Sequence, residues 1–272
     1  MAYYDQAGML ECSYTLSVNT SIWDMVNASE QSYNSFLKDT EFVIADTETT
    51  GFNGEIIELG AVIVKNKCVR MKDGSFLPFE QALKQMHNVD FFGALIYPTP
   101  IVDHNGNKSY YLSPIITQIT NISLDLMDRS KGAPMPNSSF ESYAEPFQMF
   151  LDFCGERMVV GHNWKFDIGR FRAMIEEFRT IEIFEKVKPE SLENFINTNH
   201  IDSYKDAKSI LIVNSEPNLK NATLARKFGV VADENTLHRA YYDAFFTGVT
   251  FYGLLEKARQ EYVEVANMLT VV

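Results

Sequence analysis

Two apolar stretches of strand length, Phe42–Ala45 and Glu55–Val64, flank a break that contains Asn53-Gly54. Asn-Gly between β-branched runs is the strongest short-range signal for a hairpin-type turn. The two runs are therefore expected to lie side by side and antiparallel. Any fold for this chain must be built around that pair. A third short apolar run, Arg157–Gly161, reads as another strand, and Phe91–Tyr97 as a fourth. Helical spacing follows: Ile168, Phe171, Ile175 and Phe178 fall on one face,. Ser138–Cys154 carries Phe140, Tyr143, Phe147 and Phe150 at helical intervals, and Arg239 to about Gln260 reads as a long helix. Strands alternating with helices indicate an α/β sandwich.

The remaining segments are smaller. A helix capped by Thr20 or Ser21 carries Ile22, Trp23, Met25 and Val26 within an N-terminal extension, residues 1–40, expected to pack on the main domain,. Residues 66–115 contain turns at Lys72-Asp-Gly74 and Asp103–Asn107, a short helix at Phe79–Met86 and a hairpin arm at Lys108–Leu112. They are read as an elaborated insertion. Asp202 caps a helix to about Ile212, Asn221–Phe228 is a short helix, and residues 259–272 are a C-terminal tail.

Composition narrows the class. The chain has 272 residues, 46% hydrophobic and 22% charged, with a net charge of −12. That is ordinary globular usage. A chain of this sign is a poor candidate for coating nucleic acid by bulk attraction; an enzyme that reaches phosphates through metal ions is not excluded. Cys12, Cys68 and Cys154 are odd in number and far apart, so neither a disulfide framework nor a zinc site is expected,. The N-terminal residues lack the pattern of a secretory signal, and no run approaches the ~20 apolar residues of a membrane span. An intracellular, cytoplasmic protein with no membrane association is the expectation.

Chemistry concentrates in three places. Asp46 and Glu48 lie two apart at a strand end, so both carboxylates share one face, and Thr47 points the other way,. If buried, such a pair calls for a cation; the alternative is a pair at a strand mouth that simply faces solvent. Thr49-Thr50-Gly51-Phe52 follows, small residues that bring backbone N–H groups close to a ligand, with Phe52 placed either to stack on a base or to join the core,. Asp167 ends His162-Asn163-Trp164-Lys165-Phe166-Asp167, which leaves a strand and opens a helix. Trp164 either stacks on a base or wedges the helix onto the sheet. His238 and Asp243 are five apart, about 140° around a helix, which puts His238 on the loop and Asp243 inside the helix,. Ala240, Ala244, Thr247 and Gly248 let that helix approach the sheet closely.

In this order Asp46, Glu48, Asp167, Asp243 and His238 resemble the signature of the DnaQ-like 3′–5′ exonucleases, in the DEDDh branch of the DEDD superfamily. The resemblance covers about residues 41–258 and rests on Ile44–Gly51, Ile57–Val62, His162–Asp167 and His238–Ala244. It implies a ribonuclease H-like three-layer sandwich: a mixed central sheet flanked by helices, with the N-terminal extension and an inserted hairpin region. It implies two divalent cations, Mg²⁺ or Mn²⁺. Asp46 would bridge them, Glu48 and Asp243 would complete the first site, Asp167 would hold the second, and His238 would take a proton from the attacking water. Thr47, Thr49, Thr50, Gly51, Phe52, His162, Asn163 and Trp164 are the expected substrate contacts. Lys165, Arg170, Arg172 and Arg239 flank these motifs as candidate phosphate partners. The implied substrate is the 3′ end of single-stranded nucleic acid, DNA slightly favoured, with a polymerase or other replication partner in trans. RNA trimming and a non-catalytic scaffold on the same fold are the alternatives.

Overall fold

The computed structural model describes residues 3–4, 10–11, 21–26, 33, 40–64, 90–136, 138–177, 186–211, 218–230 and 238–270. In chain order the strands are β1 Tyr3–Tyr4, β2 Leu10–Glu11, β3 Phe42–Thr49, β4 Ile56–Val64, β5 Asp90–Ile96, β6 Ile101–Val102, β7 Lys108–Ser109, β8 Ser138–Phe140, β9 Met158–Gly161 and β10 His200–Asp202. The helices are α1 Ile22–Val26, α2 Pro114–Thr120, α3 Leu124–Ser130, α4 Ala144–Cys154, α5 Lys165–Glu177, α6 Pro189–Asn197, α7 Ser203–Leu211, α8 Asn221–Lys227 and α9 Ala240–Thr270.

Six strands form one mixed sheet in the order β10-β9-β3-β4-β5-β8. The β3–β4 pair is antiparallel, with Ile44 opposite Val62 and Asp46 opposite Gly60, and the loop between the strands turns at Gly51–Gly54. β5 is antiparallel to β4, whereas β9 runs parallel to β3 and to β10, and β8 parallel to β5. Every residue of β4 is buried. Ile44, Val62, Val64 and Val160 pack under α7, α8 and α9. Val43, Ala45, Ala61 and Ile63 pack on the other face against α4, α5 and α6. The result is a three-layer α/β sandwich.

Four expectations change. Residues 66–115 are not wholly an insertion, because β5 is a core strand hydrogen-bonded to β4 along six register pairs. The small β6–β7 hairpin, closed by Asp103, is the elaboration. Lys72–Gly74, Phe79–Met86, Cys12 and Cys68 lie outside the described residues, and Cys154 is a buried free thiol. Ser138–Phe140 is a strand rather than the start of a helix, since its backbone pairs with β5. The last helix does not stop near Gln260 but continues to Thr270, so most of the expected tail is helical. Nothing in Gln260–Thr270 is a glycine or proline that would end it,.

Residues 22–26 form a short helix bonded to α7 and α9. Ser21 and Asp24 exchange hydrogen bonds as a reciprocal cap,. The Ile22 N–H donates to Asp206, the Trp23 indole to Ser209, and Arg259 to the Val26 carbonyl.

α9 reaches the sheet because the sheet side is bare. A Cβ placed on Gly60 would lie 2.1 Å from the Tyr241 nitrogen and 2.2 Å from the Ala240 carbonyl carbon. No side chain can be accommodated without moving the helix start. Gly60→Ala is therefore expected to destabilise the protein by at least about 1–3 kcal/mol, the usual cost of overpacking. Denaturant unfolding checks it; an unchanged midpoint would show that α9 can retreat freely.

Candidate active site

The site forms where β3 emerges from between the two helical layers. Asp46 and Glu48 face α9, on the side of Ile44, while Thr47 faces α5. Asp243 stands in the first turn of α9 and Asp167 in the first turn of α5. Each helix start tolerates a carboxylate through its exposed N–H groups. The two layers thus deliver acids to the same strand end from opposite faces. Asp167 is buried, and the Thr47 hydroxyl donates to its Oδ1 at 2.7 Å. Thr47 points away from its neighbours as expected, but what it meets there is Asp167.

Burial and mutual repulsion set the electrostatics. The Asp46 carboxyl is pushed well above its ordinary range, first by burial and then by Asp167, Asp243 and Glu48. Glu48 is raised in the same way, by burial and by Asp243. Asp167 and Asp243 are each pushed up to about 7, with burial the largest cause in both. Hydrogen bonds oppose the shift, from Thr47 for Asp167 and from the His238 backbone for Asp243. A divalent cation bound among them would favour their ionised forms. Its oxygen donors suit Mg²⁺ or Mn²⁺.

His238 precedes α9 in a left-handed conformation, φ 64°. Its imidazole is exposed, and one ligand atom each from Glu48, His238 and Asp243 lie within 4.8 Å of one another. Burial of the ring, then nearby Lys220, hold its pKa below the ordinary 6.5, so it is neutral at pH 7,. A neutral imidazole there can accept a proton or bind a metal.

The expected substrate residues divide. Thr49 and Thr50 use their hydroxyls inside the turn, Thr49 donating to Gly51 O at 2.8 Å and Thr50 accepting from Glu55 N at 2.9 Å. Gly51 adopts φ 148°, and a Cβ there would meet nothing within 4 Å. Phe52 is 81% exposed, which removes the core reading, and it lies 5.6 Å from Phe166, beside which Arg170 sits. Asn163 is exposed at φ 58°, its N–H held by Asp202 at 2.9 Å.

Two residues stand apart from the surface. Trp164 is fully buried, lies against Gly161, and donates its indole N–H to His200 at 3.1 Å. It wedges α5 onto the sheet and has no face for a base. His162 commits both ring nitrogens to the protein, Nε2–H to the Leu219 carbonyl at 2.8 Å and Nδ1 to the Ser203 hydroxyl at 3.0 Å. Only the carbonyl's inability to donate fixes that tautomer.

Sequence reasoning missed Asp202, His200 and Glu58 as parts of the site's frame. Asp202 accepts from Asn163, Tyr204 and Lys205, tying β10 to the loop before α5. Arg239, expected near phosphates, is instead bonded to Glu58. For Glu58, a lone carboxylate within the apolar run Ile56–Val64 was the available signal.

No protein-family model matches the chain. It is similar to the PolC-type DNA polymerase III of Lacticaseibacillus paracasei, 27% identical over 229 residues, 83% of this chain and 12% of that protein. That of Caldanaerobacter subterraneus is 28% identical over 223 residues, 81% of this chain and 12% of the relative. The chain thus spans 12% of the length of these relatives. Among solved structures it resembles the nuclease domain of 3′hExo, a DEDDh family member bound to rAMP, with TM-score 0.50 and 14% identity over 80% of this chain and 94% of that one. A full-length 3′-exonuclease gives TM-score 0.51 and 14% identity over 80% and 83%. The likeness shows the fold: that of the ribonuclease H-like DEDDh exonucleases. Among the described residues, no helix is long and apolar enough to cross a membrane.

The raised carboxyls have a measurable consequence in the metal-free protein. Asp243 ordinarily titrates near 3.8 and here near 7. Below 3.8 both folded and unfolded chains are protonated. As pH rises from 3.8 to 7 the unfolded chain releases a proton that the folded chain retains, so this group's stability contribution is lost across that window. Asp243→Asn is expected to gain melting temperature relative to the parent over this range in EDTA. Thermal melts at stepped pH check it; a difference that does not vary with pH contradicts it.

Proposed function

We propose that the protein is a metal-dependent 3′–5′ exonuclease acting on single-stranded nucleic acid, DNA slightly favoured, and releasing 5′-mononucleotides. One observation carries this reading: four carboxylates from three separate segments converge on one strand end beside a neutral imidazole. The similarity to PolC-type DNA polymerase III and the DEDDh fold support it. RNA trimming by the same chemistry is the alternative reading.

The donor set fits two divalent cations, Mg²⁺ or Mn²⁺, held by Asp46, Glu48, Asp167 and Asp243. When bound they neutralise phosphate charge and acidify water. The chain's own residues do the rest. His238, neutral at pH 7, takes the proton of the attacking water. Thr47 holds the Asp167 carboxylate in place through its hydroxyl. Gly51 leaves room for the strand at the mouth of the site. Phe52, exposed beside Phe166, offers a face on which a terminal base stacks. The net charge of −12 is consistent with recognition through bound cations rather than a basic surface. A DNA polymerase is the proposed partner, given what the relatives are.

Incubation of 5′-labelled DNA and RNA strands with Mg²⁺, Mn²⁺ or EDTA tests the reading. A ladder shortening from the 3′ end is expected with either metal and none in EDTA. Asp46→Ala should abolish it while the fold survives. Metal-independent digestion, or an active Asp46→Ala variant, would reject the assignment.

His238→Ala should lower the rate about 10²–10⁴-fold, the usual worth of a general base. In the parent the rate should rise with pH and level off below 6.5, because the base must be neutral and its pKa is depressed. Calorimetric titration of Mn²⁺ into parent and variant separates base from ligand. Affinity is expected to change little; a large fall would make His238 a ligand.

A further inference from the structure

Five carboxylates, not four, meet at this edge. Glu58 lies on β4 directly across from Glu48 and is fully buried. Unlike its neighbours it has its own cation. Arg239 forks onto it, Nε at 3.0 Å from Oε1 and 3.1 Å from Oε2, and Nη2 at 2.7 Å from Oε1. Its Oε2 also accepts the Ala240 N–H at 2.8 Å. That amide is one of the donors a helix start leaves without an intrahelical partner. Four bonds thus converge on one carboxylate, so Glu58 has no role left as a metal ligand.

The clasp closes immediately beside His238. Arg239 is the next residue, its guanidinium 5.4 Å from the Tyr241 ring and its side chain only 13% exposed. On the other side, the Asp243 carboxylate accepts the His238 N–H. His238 sits at φ 64°, a conformation that a non-glycine residue keeps only where its surroundings over-determine it,. Glu58 and Arg239 hold the chain immediately after it, and Asp243 faces it.

We propose that Glu58 and Arg239 are positioning residues: their bidentate ion pair fixes the His238 backbone in the left-handed conformation and thereby aims the imidazole at the reacting water. The proposal rests on the nuclease reading above for the reaction that His238 serves. It assigns Arg239 to the frame, not to phosphate.

The test uses the full chain and three variants: Arg239→Lys, Glu58→Gln, and the pair Glu58→Leu/Arg239→Met. Lysine keeps the charge but not the fork. Glutamine keeps one acceptor for Ala240. The apolar pair removes both charges together, which avoids stranding a buried ion and preserves the fold. Each is measured with a 5′-labelled single strand and Mg²⁺, in the parent and in the His238→Ala background. Misplacement of a catalytic group by about an ångström costs on the order of 10²-fold. A fall in kcat of about 10–10²-fold is expected in the parent background, with KM unchanged, and no further fall in the His238→Ala background. Parent-like kcat in a folded variant overturns the proposal. So does an equal loss in both backgrounds, which would mark general damage, or a rise in KM alone, which would make Arg239 a phosphate contact.

A second measurement is independent of nuclease activity. Hydrogen exchange at the Ala240 amide should be slow in the parent and at least about tenfold faster in the apolar pair, as expected when local opening becomes easier. Unchanged protection overturns the clasp whether or not the chain digests nucleic acid. Failure of the parent to digest any strand while Ala240 exchange responds as expected would instead reject the function proposed above and keep the clasp.

Discussion

Carboxylates crowded into a half-buried cleft are the constraint on which the rest of this structure depends. Four carboxylates gather at the end of β3, and each raises the cost of ionising the others. No fold tolerates that arrangement cheaply. Here it is helped by donors that anchor three of the acids at this edge. Asp243 takes the His238 N–H, Asp167 takes the Thr47 hydroxyl, and a fifth acid, Glu58, is neutralised by Arg239. The anchors in turn dictate packing. Gly60 must be bare so that α9 can bring Asp243 close, and Trp164 must lie on Gly161 so that α5 can bring Asp167.

Much of this was legible in the sequence because it follows from period and turn chemistry. Asn53-Gly54 signals a break between two apolar runs, and β3 and β4 pair antiparallel on either side of it, although the turn itself is centred on Phe52-Asn53. Two-residue spacing places Asp46 and Glu48 together, and five-residue spacing puts His238 before the helix that holds Asp243. What stayed hidden depends on tertiary partners. Trp164 beside an acidic pocket looks like a stacking platform until His200, 36 residues on, is seen to take its indole N–H. His162 looks like a substrate contact until Ser203 and Leu219, far along the chain, claim both nitrogens. Arg239 looks like a phosphate contact until its partner appears on a strand some 180 residues earlier. In each case a polar or aromatic side chain next to a site reads as functional, and long-range pairing decides otherwise. β8 was misjudged for the same reason: three residues carry too little period, and only the edge of β5 makes them a strand.

Because Asp46 and Glu48 look toward one helical layer and Thr47 toward the other, the site is a seam between two separate apolar cores. Neither core contains a reacting group, yet each sets how far one carboxylate stands from the strand. A bulkier side chain beneath α5 or α9, several turns from any acid, would widen one half of the seam and leave the other unchanged. Interior volume and chemical competence are therefore a single trait in this protein. Its two cores are not free to drift independently, and compensating substitutions should appear across the sheet rather than along it.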